Sequence, residues 1–328
     1  MRARALVATA CGALLFVGVG DPAPAQSLVL EQRIELASVQ GRIDHMALDA
    51  DGQRLFIAAL ASDSLEVVDL RAGRRVDRIT SLHEPQGVLY LESLKRLIVA
   101  NGAGGGVQAF TDGKPPVTVS QASLDDADNL RLDPLNGDVY VGAGKALVAL
   151  EPNTLRILLR INLAGHPESF QIEPSGGRIY VNVPGARHIA VVDRKSGKVD
   201  ATWPLEGAAR NFPMALDETS HQLFVVTRSP ALFIAFDTDA GREVARIPVC
   251  GDADELFLDE SRHQLYVVCG EGQIDVVRGG SGRYAVAEHV STAPGARTGL
   301  FVPGLSTLFV AVPARGGSTA EIRAYRIR

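Results

Sequence analysis

Carboxylic residues recur at one place in each unit of this sequence. Four-residue windows at 42–45, 84–87, 126–129, 166–169, 210–213, 252–255 and 296–299 hold Asp44, Glu84, Asp126, Asp128, Glu168, Asp252, Asp254 and Glu255. That is 8 acids in 28 residues, against 38 in the 328 of the chain, so the windows are acidic beyond the average composition. They also hold His45 and His166, Arg42, Arg210 and Arg297, and Asn129 and Asn211, with His83 one residue outside. Converging carboxylates repel unless a cation or arginines offset them. Asp, Glu, Asn and His are donors for oxygen-preferring or borderline divalent ions, which makes Asp128, Asp254, Glu168 and His166 candidate metal ligands. A divalent metal there would polarise a carbonyl or activate water. A His next to a carboxylate can act as a general base and an Arg can hold a substrate carboxylate. His45, His166, Glu168 and Arg297 are therefore the candidate catalytic residues, and Asp44, Glu84, Asn129, Arg210, Asn211 and Glu255 the candidate ligand contacts. The plainer reading is a wet opening where acids and Asn satisfy free backbone N–H groups at loop ends.

The spacing of the windows shows what must position them. Equivalent positions Asp44, Gln86, Asp128, Glu168, Phe212, Asp254 and Thr298 are separated by 42, 42, 40, 44, 42 and 44 residues. Each repeat has the same grammar. A first strand ends in an acid, as in Met46-Ala47-Leu48-Asp49 and Leu256-Phe257-Leu258-Asp259; a polar turn follows, then a second strand such as Val139-Tyr140-Val141-Gly142. Third strands such as Leu65-Glu66-Val67-Val68-Asp69 and fourth strands such as Glu243-Val244-Ala245-Arg246-Ile247 complete the unit. Val, Ile, Phe and Tyr broken by Gly, Asn and Asp turns are what strands and hairpins require, and four strands per 40–45 residues is the period of a propeller. The predicted fold is all-β: a seven-bladed β-propeller of four-stranded antiparallel blades. The last repeat supplies only three strands, Gly299–Val302, Leu308–Val312 and Glu321–Arg326, while Leu28–Leu36 is a lone strand before the first repeat. The N-terminal strand is predicted to complete the last blade and close the ring. The first strand of each blade then lines the central channel, and the acidic windows surround one of its mouths. Hairpins between second and third strands add Asn101, Asn182, Arg228 and Glu271 to that face.

The second strands resemble the YVTN repeat, with Tyr180-Val181-Asn182 nearest to the literal motif. Over residues 28–328 the chain resembles the exported, seven-bladed YncE-like proteins. That resemblance implies a binding protein, or an enzyme such as a metal-assisted lactonase or lyase, because propellers host both. Single-stranded DNA binding is linked to the group. The acidic mouth and the lack of a basic stripe argue against nucleic acid here.

The remaining composition sets the boundaries. Arg2 and Arg4, an apolar run from Ala5 to Gly20 and Ala23-Pro24-Ala25 make residues 1–25 a predicted signal peptide cut after Ala25, leaving 26–328 as one domain in the periplasm or outside the cell. No other segment is long and apolar enough to span a bilayer as a helix. Closed edges favour a monomer. Cys250 lies shortly before the first strand of the sixth blade and Cys269 at the end of its second strand; a disulfide, two inert thiols and a soft-metal pair are all open, with export favouring the disulfide. No Gly-x-Ser-x-Gly elbow, His-Glu-x-x-His helix or dinucleotide fingerprint occurs, so the corresponding hydrolase, zincin and NAD chemistries have no support. The sequence reading is an exported propeller that binds a divalent metal or small polar ligand at the channel mouth. Its alternatives are a metal-assisted lactonase or lyase at the same site and a platform for another exported protein.

Overall fold

A computed structural model describes residues 26–104, 106–120 and 124–328. The predicted leader, residues 1–25, lies outside them. Seven four-stranded antiparallel sheets follow one another around a ring. Their inner strands are Met46–Asp49, Pro85–Leu91, Ala127–Leu132, Phe170–Ile172, Ala209–Asp217, Ala253–Asp259 and Gly299–Val302, which define blades 1 to 7. In blade 7 the outer strand is Leu28–Leu36, paired antiparallel with Ala320–Ile327 from Leu28 opposite Ile327 to Leu36 opposite Ala320. The predicted propeller and its closure are therefore present.

Each pair of neighbouring blades shares an apolar layer. Ile34 and Leu36 of the closing strand pack with Ile43, Leu55 and Ile57 of blade 1 and Phe309 of blade 7. Leu28 packs instead toward blade 6, with Tyr266 and Ile274. Period-2 alternation puts one set of side chains from every strand into each of its two neighbours, so both sheet faces are buried and only the blade edges meet water.

The acids that end the first strands are turn builders on the face opposite the acidic windows. Asp49, 2% exposed, accepts Gly52 N–H at 2.7 Å and Arg54 Nε at 2.8 Å. Burial works to raise its pKa, but these bonds hold it below the ordinary aspartate value. A Cβ on Gly52 would stand 2.2 Å from Asp49 Oδ2, so a side chain there would force the carboxylate to shift. Asp259 does the same work with Ser261, Arg262 and Tyr266.

Cys250 and Cys269 are disulfide-bonded with a Cα separation of 5.9 Å. Ala253 pairs with Cys269 in the sheet, so the bridge anchors the segment that carries Asp252, Asp254 and Glu255. Closing a loop across a separation of 19 residues stabilises by about 3 kcal/mol through the unfolded chain. A Cys250→Ser, Cys269→Ser double variant is expected to lose about that much in urea unfolding with m little changed. An unshifted midpoint would show that the bridge contributes nothing to stability.

Candidate functional site

Four blades enter the channel through the same backbone irregularity. Glu84, Asp126, Arg210 and Asp252 occupy equivalent positions and have φ of 49°, 52°, 63° and 58°. None is glycine, and the left-handed region costs such residues on the order of 1 kcal/mol. A register shift follows each: between Pro85 and Val88, Ala127 and Leu130, Asn211 and Met214, and Ala253 and Glu255. A bulge adds a residue to one strand and re-aims the side chains around it. Here it turns the segments that carry Asp128 and Asp254. Gly87 makes room for its neighbour, since a Cβ there would lie 2.1 Å from the Asp128 carbonyl. Blades 1 and 4 enter without the left-handed residue. Asp44 N–H donates to Ala58 O at 2.7 Å and Glu168 N–H to Asn182 O at 3.0 Å.

His45 is the centre of the resulting cluster. Its Nδ1 lies 2.8 Å from Glu255 Oε1 of blade 6, and its Nε2 lies 3.5 Å from Asp128 Oδ1 of blade 3 and 3.8 Å from Asp44 Oδ1. Blade 7 intervenes between blades 1 and 6; it brings the short Thr298 and Gly299 and turns Arg297 to Asp254. Burial disfavours the charged imidazole, yet Glu255, Asp128 and Asp44 overcome it and raise the His45 pKa well above its ordinary value. The imidazolium in turn helps hold Asp128 below the usual aspartate value against the opposing effect of burial.

The other carboxyls are settled differently. Asp254 is gripped by Arg228 and by Arg297 Nε at 3.0 Å; burial still raises its pKa, with Asp44 adding to the effect. Arg228 also donates Nε to Ala253 O at 2.8 Å and lies 4.0 Å from the centroid of the Phe212 ring. Asp44, 1% exposed, meets Arg42 Nη2 at 2.7 Å, and burial raises its pKa despite His45 and Arg42. Glu168 has no arginine partner among the described ion pairs. Burial, then repulsion from Asp128 and Asp254, pushes its pKa up to about 8. At neutral pH it is a carboxylic acid with a proton to donate.

The cluster thus gathers Asp44, His45, Asp128, Glu168, Asp254, Glu255 and Arg297 from the sequence candidates. Others lie elsewhere. His166 places Nδ1 2.9 Å from Gly144 O and 3.3 Å from the exposed Asp126, so its ring faces a loop carbonyl rather than Glu168 or Asp254. Glu84 is exposed, as is Arg210, whose guanidinium is 5.9 Å from the Phe212 ring centroid. Asn211 is fully buried in the wall between blades 4 and 5, donating Nδ2 to Asn182 Oδ1 at 2.7 Å. Asn129 is buried within blade 3. Sequence reasoning passed over Arg131, a half-buried guanidinium on blade 3's inner strand. A cation between Leu130 and Leu132 is the signal the sequence offers for it.

Of the buried oxygens without a directed hydrogen bond, Asp44 Oδ2 is ion-paired with Arg42 at 2.7 Å and Asp254 Oδ2 with Arg297 at 3.0 Å, Asp128 Oδ1 faces His45 Nε2 at 3.5 Å, and Asn129 Oδ1 has no directed donor among the described residues. Among the described residues no group of three or more His, Cys, Asp or Glu is arranged as a ready-made metal centre. The arrangement offers hydrogen-bond acceptors, one neutral acid and one imidazolium within the same opening.

Two charge states drive a pH dependence. Folded Glu168 keeps a proton that the unfolded chain releases near pH 4.5, so its contribution to stability falls as pH rises from about 4.5 to 8. His45, raised in the fold, stabilises fully below its unfolded value of about 6.5, and that contribution is lost as pH rises through its higher folded value. Both act in the same direction. Unfolding free energy is expected to drop between pH 6 and 8, and Glu168→Gln to remove about 2 kcal/mol of that drop. Parallel pH profiles for the two proteins in urea titrations would contradict the assignment.

No protein-family model matches the chain, and no curated protein matches it in sequence. Among solved structures it is similar to hydrazine synthase of Kuenenia stuttgartiensis, with a TM-score of 0.71 and 15% identity over 84% of this chain and 94% of that one. At that identity the likeness is one of fold. No helix of the described residues is long and apolar enough to cross a membrane.

Proposed function

We propose that the chain is an exported, YncE-like propeller that binds a small polar ligand at the acidic mouth of its channel. The observation that carries this reading is the convergence of Asp44, Asp128 and Glu255 from three blades around His45, where Asp128 Oδ1 has only the imidazole Nε2 at 3.5 Å and the neighbouring Asn129 Oδ1 has no directed donor. An unsatisfied buried acceptor costs about 1–3 kcal/mol, and a ligand carrying hydroxyl or amino donors would recover part of that cost on binding. An organic ligand takes precedence over a divalent ion, because Arg228 and Arg297 already neutralise Asp254 and His166 faces Gly144. If an ion does bind, Asp44, Asp128 and His45 are the donors nearest one another and Glu255 supports the imidazole.

Glu168 favours a second reading, in which the site is catalytic. An acid whose pKa is about 8 gives and takes a proton near neutral pH, which suits it as the general acid of a lactonase or lyase. A requirement for the acid form makes the rate fall as pH rises past about 8.

Both readings are tested on the purified full-length mature protein. A thermal-shift panel of polyols, amino acids, hydroxy acids and lactones is expected to give at least one saturable stabiliser. Asp128→Asn and His45→Ala are each expected to weaken it tenfold or more, about 1.4 kcal/mol or more. Stabilisers that persist unchanged in both variants would place binding elsewhere. Elemental analysis after purification without chelator, with Ca²⁺, Mg²⁺, Mn²⁺ and Zn²⁺ titrations, decides the ion. Turnover of a lactone that survives Glu168→Gln with an unaltered pH profile would sink the catalytic reading.

A further inference from the structure

Arg131 is a cation inside the channel wall with most of its donors unused. It sits on the inner strand Ala127–Leu132, three residues beyond Asp128, opposite Tyr140 in the sheet. Its Nη1 donates to the carbonyl of its own neighbour Leu130 at 2.8 Å, and its guanidinium stands 5.8 Å from the Phe170 ring centroid on blade 4. Among the described residues it forms no ion pair with a carboxylate, in contrast to Arg42, Arg228 and Arg297, each of which grips one at the same mouth. A guanidinium has five N–H donors in a rigid fork, and the Leu130 carbonyl takes one. Burial works against its charge, while Glu255 and Asp128 act on it through space from the cluster above. The side chain shares the inner strand of blade 3 with Asp128, yet no carboxylate of the cluster pairs with it among the described ion pairs.

We propose that Arg131 anchors the carboxylate of the ligand, and that the ligand is consequently a small hydroxy or amino acid, its donor groups on the Asp128 carboxylate and its own carboxylate down the channel. This rests on the reading of the mouth as a polar-ligand site and names its ligand class. The planar fork matches a carboxylate through two parallel hydrogen bonds. A phosphate dianion is a poorer match, since a single guanidinium offsets only part of its charge and the nearest ionised groups, Asp128 and Glu255, would repel the rest. A bare metal ion makes no use of Arg131.

The two halves of the site can be probed apart. Acetate reports on Arg131 alone, ethylammonium on the acceptors alone, and inorganic phosphate on the competing anion class. Acetate is expected to raise the melting temperature of the wild-type protein saturably and more than sodium chloride at equal ionic strength. Arg131→Gln is expected to weaken the acetate response tenfold or more and leave the ethylammonium response unchanged. Arg131→Lys, which keeps the charge and loses the fork, is expected to retain a weakened response and supplies the test should the glutamine variant not fold. No saturable acetate effect in the wild type, an effect equal in both variants, or a stronger response to phosphate would overturn the proposal. A response to acetate without one to ethylammonium would instead leave Arg131 in place and remove the acceptor half of the site.

Discussion

Asp44, Asp128, Glu168, Asp254 and Glu255 come from four blades into one narrow, poorly hydrated opening. Two like charges 4 Å apart repel by about 4 kcal/mol at an effective dielectric of about 20, so five unrelieved carboxylates would tear the mouth open. The protein relieves them in three ways. Arginines take Asp44 and Asp254, an imidazolium sits among Asp44, Asp128 and Glu255, and Glu168 keeps its proton. The chemistry of the site follows from which carboxyl received which solution. Those paired with arginine are structural, the group left with a proton can transfer it, and Asp128 Oδ1 and Asn129 Oδ1, reached by no directed donor, remain receptive.

That distribution depends on the repeat. A ring of equivalent inner strands would present equivalent side chains, and the bulges break that equivalence. Where a left-handed residue precedes the strand, as at Asp126 and Asp252, the extra residue turns the following acid; where it does not, as at Asp44 and Glu168, the strand is paired from its first residue. Two entry geometries alternate unevenly round the channel, and the mouth acquires distinct sides from a repeated plan.

The blades were legible in the sequence because strand grammar is local. Alternation such as Leu65-Glu66-Val67-Val68-Asp69, turns at fixed offsets and a spacing near 42 residues specify a closed ring, and antiparallel pairing then dictates which chain segments share a face. Asp44, Asp128 and Asp254 could be assembled that way. Partners could not. His166 and Glu168 are two residues apart, yet the histidine turns to Gly144 while the glutamate enters the cluster. His45 and Glu255 are 210 residues apart and meet across blade 7. Asn211 bears a side chain suited to ligands and spends it on Asn182. These outcomes are set by rotamers and bulges across blade boundaries, to which spacing along the chain is blind. Arg131 was overlooked for the opposite reason: it stands inside a first strand, where the reading of the windows stopped.

The pairing of Leu28 with Ile327 has a temporal meaning as well as a geometric one. The closing strand is made before the rest of the ring yet is among the last to find its place, since its partner Ala320–Ile327 follows all the other described strands. Until then Ile34 and Leu36 lack Phe309 and Ile322, the packing partners that blade 7 brings, and blade 1 has an uncovered flank. Contacts of such long sequence separation form late and leave sticky edges exposed meanwhile. The circular architecture thus commits the polypeptide to waiting with an open seam, and the channel with its charged rim exists as a single entity only after the strand Ala320–Ile327 has arrived.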